Sequence, residues 1–93
     1  MKYRIRLAVE EMIWQLLLPH LKRPHIRVRV EYSLKDRHCM IRVNYAGDPY
    51  DIRTSDNSLS LSLLNNIAES ISYRYDEGEE MGNCTEIQIK DTN

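Results

Sequence analysis

Much of what commonly announces a function is scarce in this chain. No apolar run exceeds three residues, Leu16–Leu18 being typical, whereas crossing a bilayer takes roughly 20, so no membrane-spanning helix is encoded. Lys2, Arg4 and Arg6 open the chain, but Glu10 and Glu11 follow and no small-residue cleavage site closes the segment. A signal peptide is therefore not expected, and the reading is cytoplasmic. The two cysteines, Cys39 and Cys84, allow one disulfide at most, and in a reducing compartment each is expected to be a packed thiol. Net charge is scarce too. Thirteen Lys and Arg against fourteen Asp and Glu leave a formal charge of -1, which argues against partners recruited by bulk electrostatics, such as anionic membranes or duplex nucleic acid. Linkers, low-complexity tracts and repeats are missing, so the 93 residues read as one domain. A chain this short buries only about 60–65% of its unfolded surface. Burial against a protein partner, a second copy included, is expected to help it.

What is present is periodic. Leu7, Ala8, Met12, Leu16 and Leu18 recur at helical spacing among good helix formers, which predicts an amphipathic helix over Lys2 to Leu18, stopped by Pro19 and Pro24. From Ile26 the period becomes two: Ile26, Val28, Val30, Tyr32 and Leu34 alternate with Arg27, Arg29, Glu31, Ser33 and Lys35. After the polar turn Lys35-Asp36-Arg37, Cys39, Ile41, Val43 and Tyr45 alternate with His38, Met40, Arg42 and Asn44, which predicts an antiparallel hairpin. Ala46 to Asn57, with Gly47 and Pro49, reads as a loop. Leu59, Leu63, Leu64, Ile67, Ala68 and Ile71 mark one face of a second helix, with Asp56 or Ser58 as its N-cap. Two more strands, Ser72 to Asp76 and Thr85 to Lys90, flank a charged loop, Glu77 to Asn83, that contains Gly78 and Gly82. The order α-β-β-α-β-β predicts an α+β two-layer sandwich, with both helices on one face of a mixed, mostly antiparallel sheet.

Four strings occur in an informative order: Leu7-Ala8-Val9-Glu10-Glu11-Met12-Ile13-Trp14-Gln15, Gly47-Asp48-Pro49-Tyr50-Asp51, Ser58-Leu59-Ser60-Leu61-Ser62-Leu63-Leu64 and Gly82-Asn83-Cys84-Thr85. Together they make the chain, from about Tyr3 to Lys90, resemble the histidine-kinase-like ATP-binding (GHKL, Bergerat) fold, nearest its anti-sigma-factor serine kinase branch. The resemblance implies a nucleotide pocket built from the positions of Glu11, Gln15, Tyr45, Gly47, Ser58, Ser60 and Thr85, and each departs from the family in an informative way or survives it. The family's glutamate, which helps activate a nucleophile, is matched by Glu11. Its magnesium-holding asparagine is matched by Gln15, whose extra methylene moves the ligand by roughly 1.5 Å in a site that demands near-octahedral geometry. The family's adenine-reading aspartate is replaced by Tyr45, whose ring takes the purine's space, while Gly47 and Pro49 keep the turn. An adenine donor left unpaired there costs about 1–3 kcal/mol. The phosphate-cradling glycines are replaced by Ser58 and Ser60, and Asp56 is placed to cap the amides that phosphate would use. Only Ile52 to Asn57 separates those motifs, leaving no room for the family's lid.

The resemblance therefore implies a degenerate, non-catalytic domain that lacks the family's usual N-terminal strand and helix. It is expected to act through protein contacts of the partner-switching kind, with no cofactor. The alternative is a functional ATP-binding protein or serine kinase with an altered site, in which Glu11 and Gln15 hold magnesium and ATP.

Other constellations are weaker. His20, His25, His38, Cys39 and Cys84 show no paired zinc spacing and read as loop histidines and packed thiols. Glu10 and Glu11 point about 100° apart on a helix and cannot share a site. Lys22, Arg23, Arg27, Arg29 and Arg42 would draw phosphate or RNA if they lined one exposed face or edge, but they read more simply as partners of cross-strand acids such as Glu31 or as protection for an exposed face. Ser60 and Ser62 lack a neighbouring base and read as cap-region serines. Trp14 and the six tyrosines read as packing residues, with Tyr45 and Tyr50 placed to plug the former pocket.

Overall fold

The computed structural model describes residues 2–22 and 25–90. Its first helix begins as α1 (Lys2–Glu10) and runs without a break into a π-helical stretch, Glu11–Leu17. The sequence predicts one α-helix here. Instead the ladder widens, and the Leu18 N–H donates to the Ile13 carbonyl five residues back, at 2.9 Å. The wider turn lets Met12, Leu16 and Leu17 all enter the core, while Trp14 and Gln15 face solvent. Pro19 follows, unable to supply the next N–H; Pro24 lies outside the described residues.

Period-two patterning becomes the hairpin β1 (Ile26–Ser33) and β2 (His38–Tyr45), turned at Arg37 with φ of 52°. β3 (Ser70–Tyr75) and β4 (Asn83–Lys90) form the second hairpin. The sheet order is β1-β2-β4-β3, and every pairing is antiparallel. Alternation then sorts the faces. Cys39, Ile41, Val43 and Tyr45 of β2 and Asn83, Thr85, Ile87 and Ile89 of β4 are buried on one face, packed in a core with Ala8, Met12, Leu16, Leu17, Ile52 and Leu64. The opposite face is polar. There Arg42 makes two hydrogen bonds to Glu86 Oε2, at 3.2 and 3.1 Å, and Arg29 pairs with Glu31 at 2.8 Å. Two of the five basic residues thus have acidic partners, Arg42 across the strands and Arg29 along its own strand; Arg23 lies outside the described residues. Cys39 and Cys84 are free. They oppose Ile89 and Asn44 respectively, which puts them on opposite faces and about 17 Å apart along the strands.

α2 spans Ser58–Ile67, ending earlier than the apolar pattern predicts because Ile71 belongs to β3. Its N-cap is Asn57, whose Oδ1 accepts from the Ser60 N–H at 3.1 Å. Neither Asp56 nor Ser58 takes that role. Asp56 contributes only its backbone carbonyl, which accepts from the Ser58 N–H at 2.8 Å. The expected apolar face of α2 holds at Leu64, Ile67 and Ala68, but in the first turns Ser60 and Leu61 take the inward places, leaving Leu59 72% exposed and Leu63 at the surface. A small residue at position 60 suits the close approach of α2 to the π-helical stretch. The 46–57 loop is not wholly irregular: Asp51 caps a 3-10 turn, Ile52–Thr54, that drops Ile52 into the core. Among the described residues no helix is long and apolar enough to cross a membrane.

Candidate functional site

A buried polar cluster forms where the ends of β2, β3 and β4 meet the loop after β2. Asn83 is fully buried at the start of β4, which leaves its amide nowhere to bond but inward. Its Oδ1 accepts from the Tyr50 N–H at 2.9 Å and from the Tyr73 hydroxyl at 2.6 Å. Its Nδ2 donates to the carbonyls of Gly47 and Asp48 at 3.3 and 3.2 Å. Gly47 holds a φ of 104°, open to glycine at no steric cost, and this bends the loop back over the sheet.

Tyr45 lies directly opposite Asn83 and is also fully buried. Its hydroxyl donates to the Tyr50 carbonyl. With that hydrogen spent, the Thr85 hydroxyl, 3.0 Å away, must be the donor between the two. Burial, the largest cause, holds the Tyr45 phenol well above its ordinary range, and Tyr50 and Tyr73 are pushed the same way for the same reason. All three phenols are neutral at neutral pH. The Tyr50 hydroxyl is buried without a hydrogen bond of good geometry. Ser55 is near enough to favour its ionised form but too weakly to outweigh burial. On its other side the Tyr50 ring stacks on His20, with centroids 4.4 Å apart and planes at 22°.

Between the end of the first helix and this loop lies an open cleft of about 530 Å³, lined by His20, Leu21, Lys22, Gly47, Asp48 and Tyr50 among others. Of the seven positions singled out by the resemblance, only Gly47 lines it. Tyr45 and Thr85 are brought together, but as bonded core rather than as pocket wall. Ser60 is buried within the first turn of α2, and Ser58 is exposed at the helix start. Glu11 is half-buried and Gln15 exposed on the π-helical stretch, and the hydrogen-bond partners of the Tyr45 hydroxyl are Tyr50 and Thr85.

These residues do not fit a purine nucleotide. At the position where the resemblance would put an adenine reader stands a phenol ring with both hydrogen-bonding roles satisfied. The α2 amide that a phosphate would use at Ser60 is already taken by Asn57. Among the described residues no three His, Cys, Asp or Glu side chains gather as a metal ion would need. No protein-family model and no curated protein matches the chain.

Sequence reasoning placed Tyr45, Tyr50 and Thr85 near one another but missed Asn83 as the centre of the cluster. The available signal was small: an amide after a glycine, at the start of a strand, on the inward phase of the alternation.

Proposed function

We propose that the chain is a non-catalytic domain of the histidine-kinase-like ATP-binding type that has given up its nucleotide and works through protein contacts, as a regulatory or partner-switching module. The observation that carries this reading is the closed Tyr45 cluster. The position that would read adenine is a fully buried phenol, bonded to Tyr50 and Thr85, so admitting a purine would break both bonds and expose the sheet end beneath. Two further features support it: the self-capped start of α2 and the outward placement of Gln15. What remains is a framework that exposes an apolar row, Val28, Val30 and Tyr32, along one face of β1, which suits a surface for macromolecules.

Isothermal titration of the protein with ATP, with and without magnesium, is expected to give no binding at tens of micromolar protein. Micromolar affinity that depends on magnesium would overturn the reading in favour of an ATP-binding protein or serine kinase.

A further inference from the structure

β1 is the uncovered part of the sheet. Its inward row, Ile26, Val28, Val30 and Tyr32, opposes Tyr45, Val43, Ile41 and Cys39 of β2 and so lies on the helix-bearing face. The β2 partners are fully buried, but Val28, Val30 and Tyr32 remain 41%, 45% and 42% exposed. The strand also ends the sheet. The Ala46 N–H donates to the His25 carbonyl, which makes His25 and Ala46 a hydrogen-bonded pair. Alternation then assigns the odd residues of β1 to β2 and turns the N–H and C=O groups of Val28, Val30 and Tyr32 outward. Edge strands usually carry a proline, a bulge or an inward charge against pairing. This one has eight residues in unbroken register, with its charges Arg27, Arg29 and Glu31 on the other face.

The occupant follows from charge and register. If a second β1 pairs antiparallel across a two-fold axis at Val30, then Val30 meets Val30 and Val28 meets Tyr32 in hydrogen-bonded pairs formed by just those free groups. On the opposite face Arg29 meets Glu31 twice, in the non-hydrogen-bonded positions where side chains lie closest. A one-residue shift would put apolar and charged rows on the same face. We infer that β1 is a self-pairing edge, and that two copies of this chain join through it, centred on Val30, into one eight-stranded antiparallel sheet with all helices on the same face. A closed two-fold contact of this kind uses up the edge in both copies.

This inference rests on the protein-contact reading above, but its test is separate. Sedimentation at tens of micromolar is expected to give a dimer. Val30→Pro removes only an outward N–H, so the monomer fold is expected to hold by circular dichroism while dimer dissociation strengthens about tenfold or more. Arg29→Glu alone and Glu31→Arg alone are expected to weaken the dimer, and the double exchange to restore it. Val30→Cys is expected to form a disulfide-linked dimer under mild oxidation, since paired Cα atoms there fall within disulfide reach. A monomer at these concentrations, or a dimer indifferent to both Val30→Pro and the charge exchange, would overturn the pairing. A dimer that binds magnesium ATP would overturn the proposed function and leave the pairing standing.

Discussion

Replacing Asn83 by alanine removes four hydrogen bonds at once, from a side chain with no exposed surface. Their contributions differ. Gly47 and Asp48 are exposed, so their carbonyls find water when the amide is lost, and those two bonds return little. The Tyr50 N–H and the Tyr73 hydroxyl are half-buried and lose a partner that water replaces poorly. At about 1–1.5 kcal/mol each, with a small cavity added, the expected loss is about 2–4 kcal/mol. For a domain of this size that lowers the melting temperature by roughly 10–20 °C. Urea unfolding followed by circular dichroism measures the loss. Asn83→Asp is the informative companion. It keeps the acceptor for Tyr50 and Tyr73 but faces two carbonyls with no hydrogen to donate, and it is expected to loosen the 46–50 loop. In that variant the His20–Tyr50 ring contact should weaken, read as a change in the His20 proton resonances. A destabilisation of Asn83→Ala below about 0.5 kcal/mol would refute the view that this amide latches the loop to the sheet.

Gly82→Ala is expected to destabilise by about 2 kcal/mol or more in thermal melts, because a Cβ there would lie well inside van der Waals contact distance of the Asp76 carbonyl oxygen. Asp76 accepts no easy displacement, since its N–H donates to the Gly82 carbonyl at 2.9 Å. Stability is expected to fall as pH rises above about 10. The folded state holds the Tyr45, Tyr50 and Tyr73 phenols protonated above their ordinary range, so the unfolded chain ionises first and gains on the folded one. Urea midpoints from pH 8 to 11 would follow this, and Tyr45→Phe should flatten the slope. Asp51 behaves in the opposite sense. Its hydrogen bonds with Arg53 hold its carboxyl below the usual range, so the stability it contributes is present above about pH 4 and lost below it. Asp51→Asn should remove that acid-side dependence.

The resemblance to a nucleotide-binding fold rests on strings whose chemistry is local, and the structure treats them unequally. Tyr45 and Thr85 adjoin because β2 and β4 are neighbours, a pairing between residues 40 positions apart that no local pattern encodes. The Asn57 cap was hard to read because Asp56, Asn57 and Ser58 are three consecutive capping residues, and which one caps depends on where the chain leaves the 3-10 turn. The π-helical stretch was hidden for a similar reason. The apolar stripe legible in the sequence runs through Met12, Leu16 and Leu18 as an α-helix has it, whereas in the wider turn Leu17 takes the inward place, where the stretch meets α2 and the 3-10 turn.

Periodicity was enough to determine two helical and four strand segments in order, the alternating rows of the first hairpin, and so the α+β class, because alternation at two and recurrence near 3.6 are imposed by backbone geometry. Composition was likewise enough to exclude a membrane-spanning helix. The tertiary structure alone decided the strand order β1-β2-β4-β3, the closure of the Tyr45 cluster around Asn83, and the exposure of β1. Those depend on which distant segments meet and on how far two short helices reach across four strands. The apolar row of β1 reads in sequence like that of β2; only the placement of the helices leaves one row in the core and the other at the surface.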